Sequence, residues 1–132
     1  MREKTREEIL KELKERIKVM VKEFLEALMR EERGIYLEEH PTKANGYYTR
    51  DLLTLAGPVE DLGVPRVLEG DFHPKILPYR RRTSLELSEA ILALYTAGVI
   101  TRTVSRFLES IYGAFYSPQS ISRLSQVVEE RR

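Results

Sequence analysis

The residues best suited to chemistry lie near the end of the chain. Between Ser117 and Glu130 the spacing of Ile121, Leu124, Val127 and Val128 predicts a helix with one buried face. Its opposite face then carries Gln119, Ser120, Ser122, Arg123 and Gln126. These side chains suit the edges of base pairs: Arg pairs bidentately with guanine, Gln with adenine, and Ser adapts to either. The carboxylates Glu129 and Glu130 come only at the far end. A face selected for solubility alone normally carries Glu and Lys early, so this absence of negative charge points to an anionic partner. The segment before it offers Arg102, Thr103, Ser105 and Arg106, which suit phosphate oxygens. The run Arg80-Arg81-Arg82 can clamp a further stretch of backbone. Thr101 and Ser117, which begin the two helical segments, complete the set of candidate DNA contacts.

Catalytic readings find little to stand on. The two histidines, His40 and His73, both adjoin prolines and read as exposed loop imidazoles. Asp51, Asp61 and Asp71 recur every ten residues. They fall on different strands of a hairpin and in the loop beyond, an ordinary place for carboxylates beside turns. No glycine-rich phosphate loop, nucleophile elbow or histidine pair at zinc spacing occurs. Cysteine is absent, which removes disulfides, thiolate metal sites and thiol nucleophiles together. The reading is therefore of a non-enzymatic chain with no cofactor of its own.

Composition sets the wider bounds. With 132 residues, 42% of them hydrophobic, the chain can bury a core of about one domain. No apolar run approaches the roughly 18 residues that span a bilayer, and the charged start excludes a secretory signal. A cytoplasmic location with no membrane partner is the expectation. Net charge is +1, but it is unevenly spread. Residues 1–44 balance, residues 45–74 are acidic, and residues 75–132 carry the basic surplus. An acidic partner is expected at that end.

The elements that must position these residues can be read in order. Leu10, Leu13, Ile17, Met20, Phe24 and Ala27 alternate three- and four-residue steps, which predicts an amphipathic helix from about Thr5 to Arg33. Thr5 and Glu8 form a capping box, Gly34 punctuates the helix, and Ile35–Glu39 adds one more turn. Its wide apolar face either folds back on the chain or pairs with a second copy as a homodimer. Residues 41–47 read as a loop with Asn45-Gly46 as a turn signal. Two runs, Tyr48–Leu55 and Val59–Arg66, flank a Gly57-Pro58 turn and predict a β-hairpin. On it, Leu53 and Leu55 share a face opposite Leu62 and Val64. Thr83 and Glu86 cap a helix that ends near Gly98, Thr101 starts a second that ends near Gly113, and Ser117-Pro118 opens the third. The fold class is thus mainly α. An N-terminal helical segment (1–40) and a hairpin with basic linker (41–82) precede a tri-helical helix-turn-helix DNA-binding domain (83–132).

Several stretches together resemble a known family. Ala97-Gly98-Val99-Ile100-Thr101-Arg102-Thr103-Val104-Ser105-Arg106-Phe107-Leu108, Ile111-Tyr112-Gly113 and Ser117-Pro118-Gln119-Ser120-Ile121-Ser122-Arg123 are similar to the N-terminal region of Mutator-type transposases of insertion sequences. Upstream, Asn45-Gly46-Tyr47, Val64-Pro65-Arg66 and Gly70-Asp71-Phe72 agree in order and spacing. The resemblance covers most of residues 40–130. It implies recognition of the element's terminal inverted repeats in double-stranded DNA, and self-association to bring two ends together. It also implies Mg2+-dependent transposition by an acidic triad on an RNase H-like domain, which is expected downstream; none of the triad's acids maps onto a position here. A stand-alone helix-turn-helix regulator and a helical self-association module are the alternative readings.

Overall fold

A computed structural model describes residues 3–54, 57–77 and 101–130. Three helices and one two-stranded antiparallel sheet occur among them. Helix α1 spans Arg6–Glu39, strands β1 and β2 span Ala44–Thr54 and Gly57–Val67, and helices α2 and α3 span Thr101–Tyr112 and Pro118–Glu130. The helix expected to begin at Thr83 and end near Gly98 lies outside the described residues, as does the arginine run 80–82.

Helix α1 is one uninterrupted rod of 34 residues, about 50 Å at 1.5 Å per residue. It starts as expected, with the Thr5 hydroxyl accepting from the Glu8 N–H at 3.2 Å. Gly34 does not punctuate it. The helix runs on to Glu39, because Ile35 is buried and draws the last turn onto the core. A methyl group at Gly34 would meet nothing within 4 Å. Gly34→Ala is therefore expected to stabilise the fold by about 0.5–1 kcal/mol, the helix-interior cost of glycine. Urea denaturation measures it.

Burial divides α1 in two. From Val21 onward its apolar face is covered, with Phe24, Leu25, Leu28 and Met29 in the core. Before that point Ile9, Leu10 and Leu13 are 53%, 48% and 51% exposed. The same stripe thus serves the fold at one end and faces water at the other.

The hairpin forms as expected, with longer strands and different faces. Leu52 is buried with Val59, Leu62 and Val64, while Leu53 is exposed; Leu55 lies outside the described residues. Two irregularities in the register explain this. Arg50 pairs with Leu62 but Leu52 with Val59, so β2 holds one extra residue there. Asp61 sits at that bulge with φ 55°, and its N–H donates to Asp51 Oδ1 at 3.1 Å. The second bulge is Asn45-Gly46 in β1, which lies within the strand rather than in a turn. Each bulge shifts the alternation by one residue and exchanges the faces.

Helix α1 lies along β2 rather than β1. Gly63 N–H turns out of the ladder and donates to Glu26 Oε2 at 2.7 Å, so α1 covers that sheet edge. Arg33 fastens the other end of the hairpin. Its Nη1 donates to the carbonyls of Gly46 (3.0 Å) and Arg66 (3.2 Å), and its Nη2 to the Tyr47 hydroxyl at 3.2 Å. The sheet alone would be marginal in water; a shared core makes it stable. That core joins α1 and the hairpin to Ile76 and Leu77, to Leu108 and Tyr112 of α2, and to Leu124 of α3.

Candidate nucleic-acid interface

The joint between α2 and α3 is built around tyrosine and serine. Helix α2 ends at Tyr112, and Gly113 begins the turn. The Tyr112 carbonyl accepts from the N–H groups of Phe115 and Tyr116, both at 2.9 Å. Ser117 then caps α3: its Oγ accepts from Ser120 N–H at 3.2 Å, and Pro118 occupies the first helical position. The sequence reading of this cap holds.

Beneath the joint lies a carboxylate that sequence reading missed. Glu32 of α1 is fully buried. Its oxygens accept from the backbone N–H of Lys75 (2.6 Å) and Ile76 (3.2 Å), and from the hydroxyls of Tyr116 (2.7 Å) and Tyr112 (3.2 Å). Four donors from the 75–76 loop, α2 and the turn thus meet on one side chain of α1. The rings of Tyr112 and Tyr116 pack edge to face, with centroids 5.4 Å apart. A signal for Glu32 was present. It follows Leu28 by four residues and Met29 by three, and precedes Ile35 by three, so it lies on the apolar stripe.

Burial pushes the Glu32 carboxyl above its ordinary value; the hydrogen bonds from Lys75, Tyr116, Ile76 and Tyr112 offset part of that rise. Burial and the neighbouring Glu32 charge push both tyrosine hydroxyls well up, so they remain protonated donors. A raised folded-state value means that the folded chain holds this proton more tightly than the unfolded chain. Stability attributable to Glu32 is then expected to fall as pH rises from about 4.5 through the raised value, by at most about 1.4 kcal/mol per pH unit, and to level off above it. Denaturant midpoints across that window measure the slope, and a rise through it would contradict this assignment.

The candidate recognition face divides. Leu124 is buried, and Ile121 and Val127 pack half-buried against the core, as their spacing predicted. Gln119, Ser122 and Gln126 are exposed, at steps of three and four residues along one ridge of α3. Ser120 is half-buried beside the cap. Arg123 stands apart from the ridge. Its side chain turns to α1, where Nε donates to Glu31 Oε1 at 3.1 Å and Nη1 to both oxygens of Glu38 at 2.8 Å. Glu38 foremost, and then Glu31, hold the guanidinium firmly protonated. In α2, Arg106 is exposed, and Thr101, Arg102 and Thr103 form the first turn. A groove of about 650 Å³ lies beside the ridge, lined by Ser122, Ser125 and Gln126 of α3 and by Glu109, Gly113 and Tyr116.

The other polar residues serve local structure. His40 stacks on Tyr36 with ring centroids 3.9 Å apart, and its Nδ1 lies 3.0 Å from the Tyr36 carbonyl. His73 bonds Asp71 at 2.6 Å. Among the described residues, no three His, Asp or Glu side chains gather as metal ligands would. Asp51 is engaged at a bulge and Glu32 is saturated by donors.

Residues 2–131, nearly the whole chain, match the family described as "Transposase, Mutator family". The chain belongs to this family. It is 41% identical over 86 residues to the transposase for insertion sequence element IS905 of Lactococcus lactis, covering 65% of this chain and 22% of that protein. It is 35% identical over 92 residues to the IS256 transposase in transposon Tn4001 of Staphylococcus aureus, covering 70% of this chain and 23% of that protein. With the ISRM5 transposase of Rhizobium meliloti it shares 32% over 122 residues, covering 89% of this chain and 30% of the relative. The Mutator-family chain therefore spans between a fifth and a third of these relatives' length. No solved structure matches it. No helix among the described residues is long and apolar enough to cross a membrane.

Proposed function

We propose that this Mutator-family chain is a DNA-binding N-terminal portion of a transposase, which recognises the terminal inverted repeats of an insertion sequence. The exposed ridge of α3 carries the reading: Gln119, Ser122 and Gln126 stand in water on a helix with no acid in its first ten residues. In this reading α2, the turn and α3 supply the helix pair of a helix-turn-helix. Helix α3 enters the major groove, and Arg106 with the 101–103 turn and Arg80–Arg82 contact phosphates. In this reading the chemistry of strand transfer, with its Mg2+, lies with the family's acidic triad, none of whose acids maps onto a position in residues 1–132. The site of action is the cytoplasm.

A homodimer through α1 fits the same reading. Ile9, Leu10 and Leu13 present an apolar stripe to water on a helix half with little of the core beneath it. Pairing two such halves would place two helix-turn-helix units on two DNA ends. Sedimentation measures the state.

Fluorescence anisotropy with a duplex carrying the element's terminal repeat, against a scrambled duplex at two salt concentrations, tests the function. Tighter binding of the repeat, weakening as salt rises, supports it. Equal binding of both duplexes removes sequence recognition, and a dimer that ignores DNA favours a pure self-association module.

A further inference from the structure

Arg123 is the ridge's cationic neighbour, yet its donors are already engaged. A guanidinium offers two forks for bidentate pairing, one from Nε with Nη2 and one from Nη1 with Nη2. In the structure Glu31 takes Nε and Glu38 takes Nη1. Only Nη2 has no partner among the described residues. Glu38 draws on Nη1, which the end-on fork shares, so it competes with the O6 and N7 of guanine for that fork.

The two carboxylates are not equal. Glu31 lies on the inner side, its side chain 30% exposed, whereas Glu38 is 60% exposed in the last two turns of α1. The last turn of α1 contains no basic residue, and the negative end of the helix adds to Glu38 and Glu39 there. Arg123 supplies the cation this end lacks. The contact is thus strong enough to form and exposed enough to break.

We infer that Glu38 is a releasable lock on Arg123, which reads a guanine only after its Nη1 has left Glu38 for DNA. Glu31 remains bound and keeps the side chain oriented through Nε while the Nη1–Nη2 fork turns to the base. The lock costs the guanine site part of its affinity, because only that site requires release; a site without that guanine leaves the pair closed. It holds back the guanine contact and so limits how far that site exceeds others, and it rests on the DNA-binding reading above.

The test uses the whole chain and a randomised pool of 20-base-pair duplexes. Wild type first selects its preferred duplex. Affinities for that duplex and for a scrambled one are then compared in wild type, Glu38→Ala, Arg123→Ala and the double variant. Glu38→Ala is expected to raise the ratio of selected to scrambled affinity about two- to fivefold, the range of an exposed ion pair. In the Arg123→Ala background the same change is expected to leave the ratio unaltered. Thermal unfolding confirms that each variant is folded. If Glu38→Ala tightens both duplexes alike, it acts only by removing a negative charge, and the lock is overturned. A gain that persists without Arg123 overturns it equally. If wild type enriches no sequence at all, the DNA-reading function itself fails and the lock falls with it; the first two outcomes leave that function standing.

Discussion

Glu32→Ala is expected to destabilise the chain by about 3–5 kcal/mol, the largest effect of any single substitution considered. The change removes the acceptor for the N–H groups of Lys75 and Ile76 and for the hydroxyls of Tyr112 and Tyr116. A buried donor left without a partner costs about 1–3 kcal/mol. Tyr116 is only half-buried and can turn to water, so its share is small. The two backbone donors cannot move, and the Tyr112 side chain is fully buried. Against a typical total of 5–15 kcal/mol this is a large fraction. For a chain of this size it corresponds to a melting point lower by roughly 10–20 °C. Tyr112→Phe supplies the scale, because it removes one hydrogen bond and keeps the ring; it should cost about 1 kcal/mol. Calorimetry on both variants measures the difference. A Glu32→Ala protein that melts with wild type would mean that the carboxylate does not join α1 to the helical pair.

The second large effect concerns binding. Gln119→Glu with Gln126→Glu places two carboxylates on the exposed ridge of α3. Each replaces a side chain able to donate and accept with one that only accepts, and each adds repulsion from DNA phosphates. A lost base contact costs about 1–3 kcal/mol. The pair should therefore weaken binding to the terminal-repeat duplex by roughly two orders of magnitude or more. Both side chains are exposed, so the fold should be unaffected to within about 0.5 kcal/mol. That separation distinguishes the pair from Glu32→Ala, which would lose binding by losing structure. Anisotropy and thermal unfolding on the same sample read the two quantities.

Local features were legible in the sequence where one element decides them. The start of α1 needs only Thr5 and its own first turn. The cap of α3 needs only Ser117, Pro118 and Ser120. The burial of Leu124 follows from helical period. Reading failed where a second element decides. Gly34 is a plausible helix end until Ile35 is seen to pack into the core. The face of Leu53 depends on a bulge that Asp61 makes in the opposite strand. Arg123 lies beside the outward ridge by period alone, but Glu31 and Glu38, some ninety residues earlier, hold its guanidinium against α1. Glu32 was legible in principle. Its phase on the apolar stripe marks it as buried, although nothing local indicates that Tyr112 and Tyr116 supply its donors.

The proposed role rests on the exposed ridge of α3 in a Mutator-family chain. The most direct measurement is a map of where duplex DNA touches the chain, from backbone amide shifts recorded with and without the terminal-repeat duplex. This account predicts the largest changes at Gln119, Ser122 and Gln126, smaller ones at Arg106 and Arg123, and almost none along Ile9–Leu13. Changes confined to α1 or the hairpin, with α3 silent, would contradict it.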